Sequence, residues 1–269
     1  MTLQKCNPQS PFLIIGAGRS GSTLLSAVFN HHPLVSFFGE TYFLAPAVWE
    51  RIFNEYGLIM SFLVEWRQEE GDQQASFRKT EERRIARLIA RFMMHVLRID
   101  QELPFWGYKE IWNGSPHFET HEWDIYDRIF PNAKYIHLVR NPIRFAVSTA
   151  GRSDQPFDRK TLAAQLANWV RIHEFNIQRA DRQYYLLRYE DLVSKQQSSM
   201  KSLLGFLDIP WDEGCLKAFE KKYVPSFRDP LSDPEIIKDP IEIPGLYKYA
   251  SSLGYLNEIE EMGILMRNC

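Results

Sequence analysis

Gly16, Gly18 and Gly21 fall within six positions, with Arg19 among them and hydroxyls at Ser20, Ser22 and Thr23. Glycines let the backbone come close to a ligand, and amides, hydroxyls and a guanidinium all donate hydrogen bonds to oxygen. Such a set suits an anionic group. The apolar run Phe12-Leu13-Ile14-Ile15 precedes it, and Leu24, Leu25, Ala27, Val28 and Phe29 follow at helical spacing. Buried strand, glycine-rich turn and helix N-terminus aim exposed amides and the positive end of the helix dipole at a phosphate. Two spacings fit this loop and disagree. Gly16-x-Gly18-x-x-Gly21, with Glu40 near the distance of a ribose-binding acid, matches a dinucleotide site. Gly16-x-x-x-x-Gly21-Ser22-Thr23 matches a phosphate loop in which Ser22 replaces the usual lysine, which argues against ordinary ATP or GTP hydrolysis. A purely structural turn is the third reading.

Charged residues recur where further strands should end. Glu40 comes just past the β-like run Leu34-Val35-Ser36-Phe37-Phe38. Leu103 to Ile111 carries Lys109 and Glu110 near its expected C-terminal end, and a nucleotide site without a loop lysine needs a cation from elsewhere. Ala133 to Val139 reads as a strand ending in Arg140-Asn141-Pro142, with Pro142 in the first turn of the next helix, where proline is tolerated. Arg140, Ser148 two turns along and Arg152 one turn beyond could converge on an anion. Tyr184 to Leu187 makes a fifth strand, ending in Arg188-Tyr189-Glu190-Asp191-Leu192. In open α/β sheets the ligand crevice lies outside the carboxyl ends of the strands, so parallel strands would gather these residues on one edge.

Other conspicuous residues have plainer readings. His31 and His32 suit helix termination and packing, and His137, alternating inside a strand, suits the core. Arginines 83, 84, 87 and 91 form the solvated side of an amphipathic helix. Its apolar side is expected to be Ile85, Leu88, Ile89, Phe92, Met93, Val96 and Leu97. Residues 42–72 are aromatic-rich and expected to be helical, as core, lid or lining of an acceptor pocket. A long helix is expected over roughly 158–180. Five prolines between Pro225 and Pro244 mark a long irregular connection, often a lid.

Strands alternating with helices predict an α/β fold. We expect a three-layer, P-loop-like domain with a mostly parallel central sheet of about five strands flanked by helices. At 269 residues and 45% hydrophobic content the chain is expected to be one soluble globular domain. No apolar run is long enough to span a membrane, and the start, MTLQKCNPQS, has no apolar signal region, so no secretion is expected. A net charge of −2 excludes a globally basic nucleic-acid binder. Cys6, Cys215 and Cys269 are isolated, without metal-ligand spacing; free thiols in a reducing cytoplasm and no zinc site are expected.

Arg19-Ser20-Gly21-Ser22-Thr23, Arg140-Asn141-Pro142 through Ser148, and Arg188-Tyr189-Glu190-Asp191-Leu192, in this order and each after a strand, resemble the sulfotransferases that use 3′-phosphoadenosine 5′-phosphosulfate (PAPS). The resemblance runs from about Phe12 to Trp211. HHPLVSFFGET looks closer to the tyrosylprotein and related bacterial enzymes than to the cytosolic phenol and steroid enzymes. The resemblance implies that Gly18 to Leu24, with Arg19 and the Ser20, Ser22 and Thr23 hydroxyls, hold the 5′-phosphosulfate. It implies that Arg140, Ser148 and Arg152 hold the 3′-phosphate and that Tyr189 helps hold adenine. Glu40 stands where that group keeps its catalytic base, and Lys109 resembles the lysine that steadies the bridging oxygen as it leaves. His117 or His121 is the fallback base. Neither Lys238 nor Lys248 matches a lid contact.

A single domain over 1–269 is therefore expected, with a PAPS-binding core over about 11–211 and an irregular lid and tail over 212–269. The expected function is metal-independent sulfonate transfer to a hydroxyl or nitrogen of a small-molecule acceptor, such as a bacterial natural product. A protein-tyrosine or glycan acceptor is the nearest alternative. A non-catalytic nucleotide-binding module and an NAD(P)-dependent oxidoreductase are more distant ones. No nucleic-acid or membrane partner is expected, and the oligomeric state is open.

Overall fold

The structure, a computed structural model, describes residues 7–40, 72–112, 122–150, 158–220 and 241–261. The aromatic segment 42–66, Arg152, His117, His121 and Lys238 lie outside them. Five strands form one sheet: β1 (Phe12–Ala17), β2 (Val35–Glu40), β3 (Phe105–Trp112), β4 (Lys134–Val139) and β5 (Tyr184–Arg188), in the order β2-β3-β1-β4-β5. Every pairing is parallel.

Parallel strands are covered on both faces, and β1 shows the consequence, with all six residues buried. Phe12 and Ile14 face one apolar cluster with α1 (Ser22–Asn30), α6 (Tyr189–Ser194) and α7 (Gln196–Leu207). Leu13, Ile15 and Ala17 face a second cluster. It holds residues of α2 (Asp72–Val96), α3 (Glu122–Ile129), α4 (Pro142–Ala150), α5 (Arg159–Ile177), α8 (Leu246–Ser252) and α9 (Leu256–Glu261). The expected three layers are present. Two 3₁₀ turns, Gln178–Asp181 and Glu213–Phe219, complete the described elements.

The chain leaves β1 toward β2 on one side of the sheet and leaves β4 toward β5 on the other. The carboxyl ends of β1 and β4 therefore flank a topological switch point, where a crevice must open.

Three boundaries differ from expectation. Glu40 is the last residue of β2 rather than a loop residue beyond it, because a bulge between Phe38 and Glu40 extends the pairing. Lys109 lies three residues before the end of β3, buried, since that strand runs on to Trp112. On α2 the buried arc consists of Ile85, Ala86, Ile89, Ala90, Met93 and Met94, continued by Leu97 just past its end, whereas Leu88, Phe92 and Val96 are exposed. Close packing selects small alanines there, which apolar spacing alone does not single out. The arginines at 83, 84, 87 and 91 are solvated as expected.

His32 is buried, with Nε2 2.8 Å from the Pro210 carbonyl and Nδ1 accepting from the Leu34 amide at 3.1 Å. Those two bonds define a neutral packing histidine. His137 is likewise a satisfied core residue. Its Nδ1 bonds the Tyr184 hydroxyl and its ring stacks on His173 at 5.0 Å.

Candidate active site

The loop after β1 is built around two departures from ordinary backbone. Arg19 sits at φ 67° and Gly21 at φ 95°, both in the left-handed region. At Gly21 a Cβ would come within 2.1 Å of the Tyr189 ring, so neither its conformation nor its surroundings admit a side chain. Gly21 is the N-cap of α1 and provides no side-chain cap, and the first turn holds no acid. The first amide with a carbonyl partner is that of Leu25, on Gly21 O at 3.2 Å. The amides of Ser22, Thr23 and Leu24 are thus presented with the helix dipole at the switch point. Ser22 is buried, its carbonyl held by the Ser26 hydroxyl at 2.8 Å, while Thr23 is exposed. Gly18 stands half-buried before the crest.

Around this turn the structure gathers residues distant in sequence. Arg19 Nε donates to both the carbonyl and the hydroxyl of Ser148, each at 3.2 Å, which pins the loop to α4. Arg140 Nη1 donates to the Arg19 carbonyl at 3.1 Å, and its guanidinium lies 4.7 Å from the centre of the Tyr189 ring. Arg19, Gly21, Arg140, Ser148 and Tyr189 thus form one connected group. Expectation assigned Arg19 and Ser148 to opposite ends of a nucleotide; here they touch.

Among the described residues, Arg140 Nε and, in the loop beside it, Ser20 Oγ are buried without a hydrogen-bond partner. Burial pulls the Arg140 pKa below its usual value. Tyr189 and Glu190 oppose that shift, whereas Arg19 and Arg144 add to it. Two arginines and an uncapped helix end, crowded together, are compensated best by an anion.

On the other side of β1 the bulge in β2 sets Glu40 opposite Lys109 in the register. Lys109 is paired to Ile14 of β1 on its other side and shares the α1-facing side of β3 with Ile111. The two residues expected to do chemistry are therefore backbone neighbours across adjacent strands.

Several supporting residues were not singled out in the sequence. Asn141 accepts from the Ile143 and Arg144 amides at 2.9 and 3.1 Å and so caps α4. Its place just before Pro142 was the available signal. Glu190 Oε1 accepts from the Asn141 amide at 3.0 Å, and Glu190 Oε2 from the Tyr255 hydroxyl at 2.6 Å. Trp169 Nε1 donates to the Arg140 carbonyl at 3.0 Å. Behind the loop, Ser20, His137, Trp169 and His173 line a cavity of about 10 Å³. Burial pulls His137 well below its usual pKa and His173 down to about 4.

A parallel sheet with a glycine-rich turn and helix start after its central strand, and arginine at a neighbouring strand end, defines a P-loop-like α/β protein. The chain belongs to the sulfotransferase family, whose profile matches residues 11–213. It is similar to protein-tyrosine sulfotransferase A of Caenorhabditis elegans, 26% identical over 230 residues, or 78% of this chain and 53% of that protein. A protein of Aquifex aeolicus is 26% identical over 223 residues, covering 79% of this chain and 27% of that one. The chain thus spans between a quarter and about half of these relatives. Among solved structures it is similar to the sulfotransferase domain of the Synechococcus olefin synthase. The TM-score is 0.52 at 23% identity, over 93% of this chain and 90% of that domain. Among the described residues no helix is long and apolar enough to cross a membrane.

Proposed function

We propose that this chain is a PAPS-dependent sulfotransferase acting on a small-molecule hydroxyl or nitrogen. The observation that carries the reading is the convergence of Arg19, Arg140 and Ser148 on the uncapped start of α1, with Arg140 Nε buried and unbonded. The donor's chemistry fits that group. The amides of Gly18 to Leu24, with Arg19 and the Ser20, Ser22 and Thr23 hydroxyls, would hold the 5′-phosphosulfate. Arg140, Ser148 and Arg152 would hold the 3′-phosphate, and Tyr189 the adenine. Bound there, PAPS supplies an electrophilic sulfonate on a phosphate leaving group.

The chain's own task is then to move a proton and to meet developing charge. Glu40 accepts the proton of the acceptor O–H or N–H. Lys109 stabilises negative charge as it grows on the bridging oxygen, where a preorganised cation is most effective. A 3′-phosphate clamp also rejects ATP, because arginines placed for a phosphate are left uncompensated by a hydroxyl. We take 1–269 as one domain with a donor-binding core over about 11–211, acting in the cytoplasm.

Two acceptor classes compete. A small natural product accords with the similarity to the sulfotransferase domain of an olefin synthase. The C. elegans relative favours a tyrosine in a protein. Parallel assays with small phenols and alcohols and with acidic tyrosine peptides separate them.

The donor reading is tested by calorimetric titration with 3′-phosphoadenosine 5′-phosphate (PAP) against AMP, ATP and NAD, on wild type and Arg140→Ala. Tight binding of PAP alone, lost in the variant, is the expected result. Equal binding of all four, or none, overturns it and returns the dinucleotide reading.

A further inference from the structure

Tyr255 is fully buried, and a buried phenol must find an acceptor. Its hydroxyl donates to Glu190 Oε2 at 2.6 Å, a charge-assisted bond. Burial, and then the Glu190 carboxylate, push its pKa far above the ordinary phenol value, so it remains a donor throughout the physiological range. The other carboxylate oxygen of Glu190 accepts the Asn141 amide at 3.0 Å. Glu190 is thus held from both sides.

The chain neighbours of these partners give the arrangement its meaning. Asn141 directly follows Arg140, and Glu190 directly follows Tyr189. Arg140 and Tyr189 are the two residues stacked at 4.7 Å in the anion-binding group. One carboxylate therefore ties the end of β4 to the start of α6 and fixes the spacing of guanidinium and ring. The guanidinium of Arg188, the residue before Tyr189, lies 4.4 Å from the centre of the Tyr255 ring. Gly254, at φ 72°, brings the backbone so close that a Cβ there would lie 3.3 Å from Arg188 Nη1. The junction of α8 and α9 thus grips the end of β5 through a cation–π contact and the start of α6 through a hydrogen bond. Tyr255 lies beyond residues 11–213, the part matched by the family profile.

We propose that Tyr255 is a positioning residue for donor recognition. Through Glu190 and Asn141 it sets Arg140 against Tyr189, so the segment after residue 241 contributes to selection of the 3′-phosphate. This rests on the donor reading above. Tyr255→Phe deletes one hydroxyl and keeps the ring under Arg188. Glu190 is then held from one side only, and Arg140, still bonded to the Arg19 carbonyl, is set less firmly against Tyr189. The deleted hydroxyl itself lies outside the loop and α1, which make the 5′ side of the site.

The test compares PAP with AMP, which lacks the 3′-phosphate, by calorimetry on folded wild type, Tyr255→Phe, Arg140→Ala and the double variant, with Tm recorded for each. Tyr255→Phe is expected to weaken PAP about tenfold, the size of a modest charge-assisted hydrogen bond, and to leave AMP within about twofold. In the Arg140→Ala background the same change should have no further effect on PAP. Glu190→Gln, which keeps an acceptor for the Asn141 amide, should fall between wild type and Tyr255→Phe. Equal losses for PAP and AMP, or unchanged PAP affinity in Tyr255→Phe, overturn the proposal while leaving the donor reading standing. A wild-type chain that binds PAP no better than AMP overturns the donor reading and this inference with it.

Discussion

The two flanks of β1 are organised differently. On the β4–β5 side the functional groups are held by explicit hydrogen bonds: Arg140 to the Arg19 carbonyl, Arg19 to Ser148, Glu190 to Asn141. On the β2–β3 side the pairing of Glu40 with Lys109 is set by a bulge in the backbone register. The first arrangement is a rigid clamp, suited to binding something the same way each time. The second offsets one strand against its neighbour, a device that re-aims residues at a working edge. On the function proposed above, the contrast separates binding from chemistry along the sheet edge.

The sharpest way to break that division is to exchange its expected effects. Glu40→Gln should lower kcat about a hundred- to ten-thousand-fold, the range of general-base catalysis, and leave PAP affinity near wild type. Lys109→Met should lower kcat about a hundred- to a thousand-fold, as loss of one charge-stabilising donor does. Single-turnover rates and PAP titrations on the same preparations separate the two quantities. If Glu40→Gln weakens PAP as much as Arg140→Ala does, the β2–β3 side belongs to the clamp and the division fails.

Acid should attack the clamp side from behind. His137 on β4 and His173 on α5 are stacked and buried, with Trp169 on one side of His173, Tyr249 at its edge and Tyr184 on His137. His173 titrates near 4 when folded and near 6.5 when unfolded. Between those values the unfolded chain takes up a proton that the folded chain refuses. The neutral histidine's full contribution is present above pH 6.5 and is lost as the pH falls toward 4. The pKa difference corresponds to about 3 kcal/mol. Urea unfolding at pH 7 and pH 4.5 should show that loss in wild type and a smaller one in His173→Phe, whose ring still stacks on Trp169. Equal losses would remove the histidine pair from the acid response.

Which residues the sequence disclosed follows the same line. The β1 loop, the five strands and Arg140 with Ser148 were legible because each rests on a local signal: an apolar run, a glycine cluster, a charge at a strand end. His137 could be read as a packing residue because it interrupts such a run alone, and His32 because it stands where a helix ends. The β2 bulge could not be read, since nothing in Phe38-Gly39-Glu40 distinguishes an extra residue in a strand from a loop. Tyr255 was invisible because its partner Glu190 is 65 residues away and only folding brings them together. The arc of α2 was misjudged because periodicity treats Ala86 and Ala90 as weak core residues, whereas both lie buried in the apolar cluster that α2 shares with α3.

Two glycines, one on each flank, carry the comparison to smaller effects. Gly21→Ala forces a Cβ into the Tyr189 ring and a left-handed φ onto an L-residue, so a loss of about 2 kcal/mol or more is expected from strain and displacement together. Because Tyr189 carries Arg140, PAP affinity should fall along with stability. Thermal unfolding and PAP titration of this one variant test both.

Gly39 is the opposite case and the smallest expected effect. It occupies the bulge, yet its φ is not left-handed and a Cβ there meets no atom of the described residues within 4 Å. If the bulge is imposed by the strand pairings on either side, Gly39→Ala should change stability by no more than about 0.5 kcal/mol and leave kcat near wild type. Alanine would even restrict the unfolded chain slightly. If instead the register depends on a conformation that only glycine adopts as the acceptor enters, kcat should drop in Gly39→Ala while Tm and PAP affinity hold. That result would make the β2–β3 side a moving part, and the contrast with the hydrogen-bonded clamp would become one of mobility as well as of role.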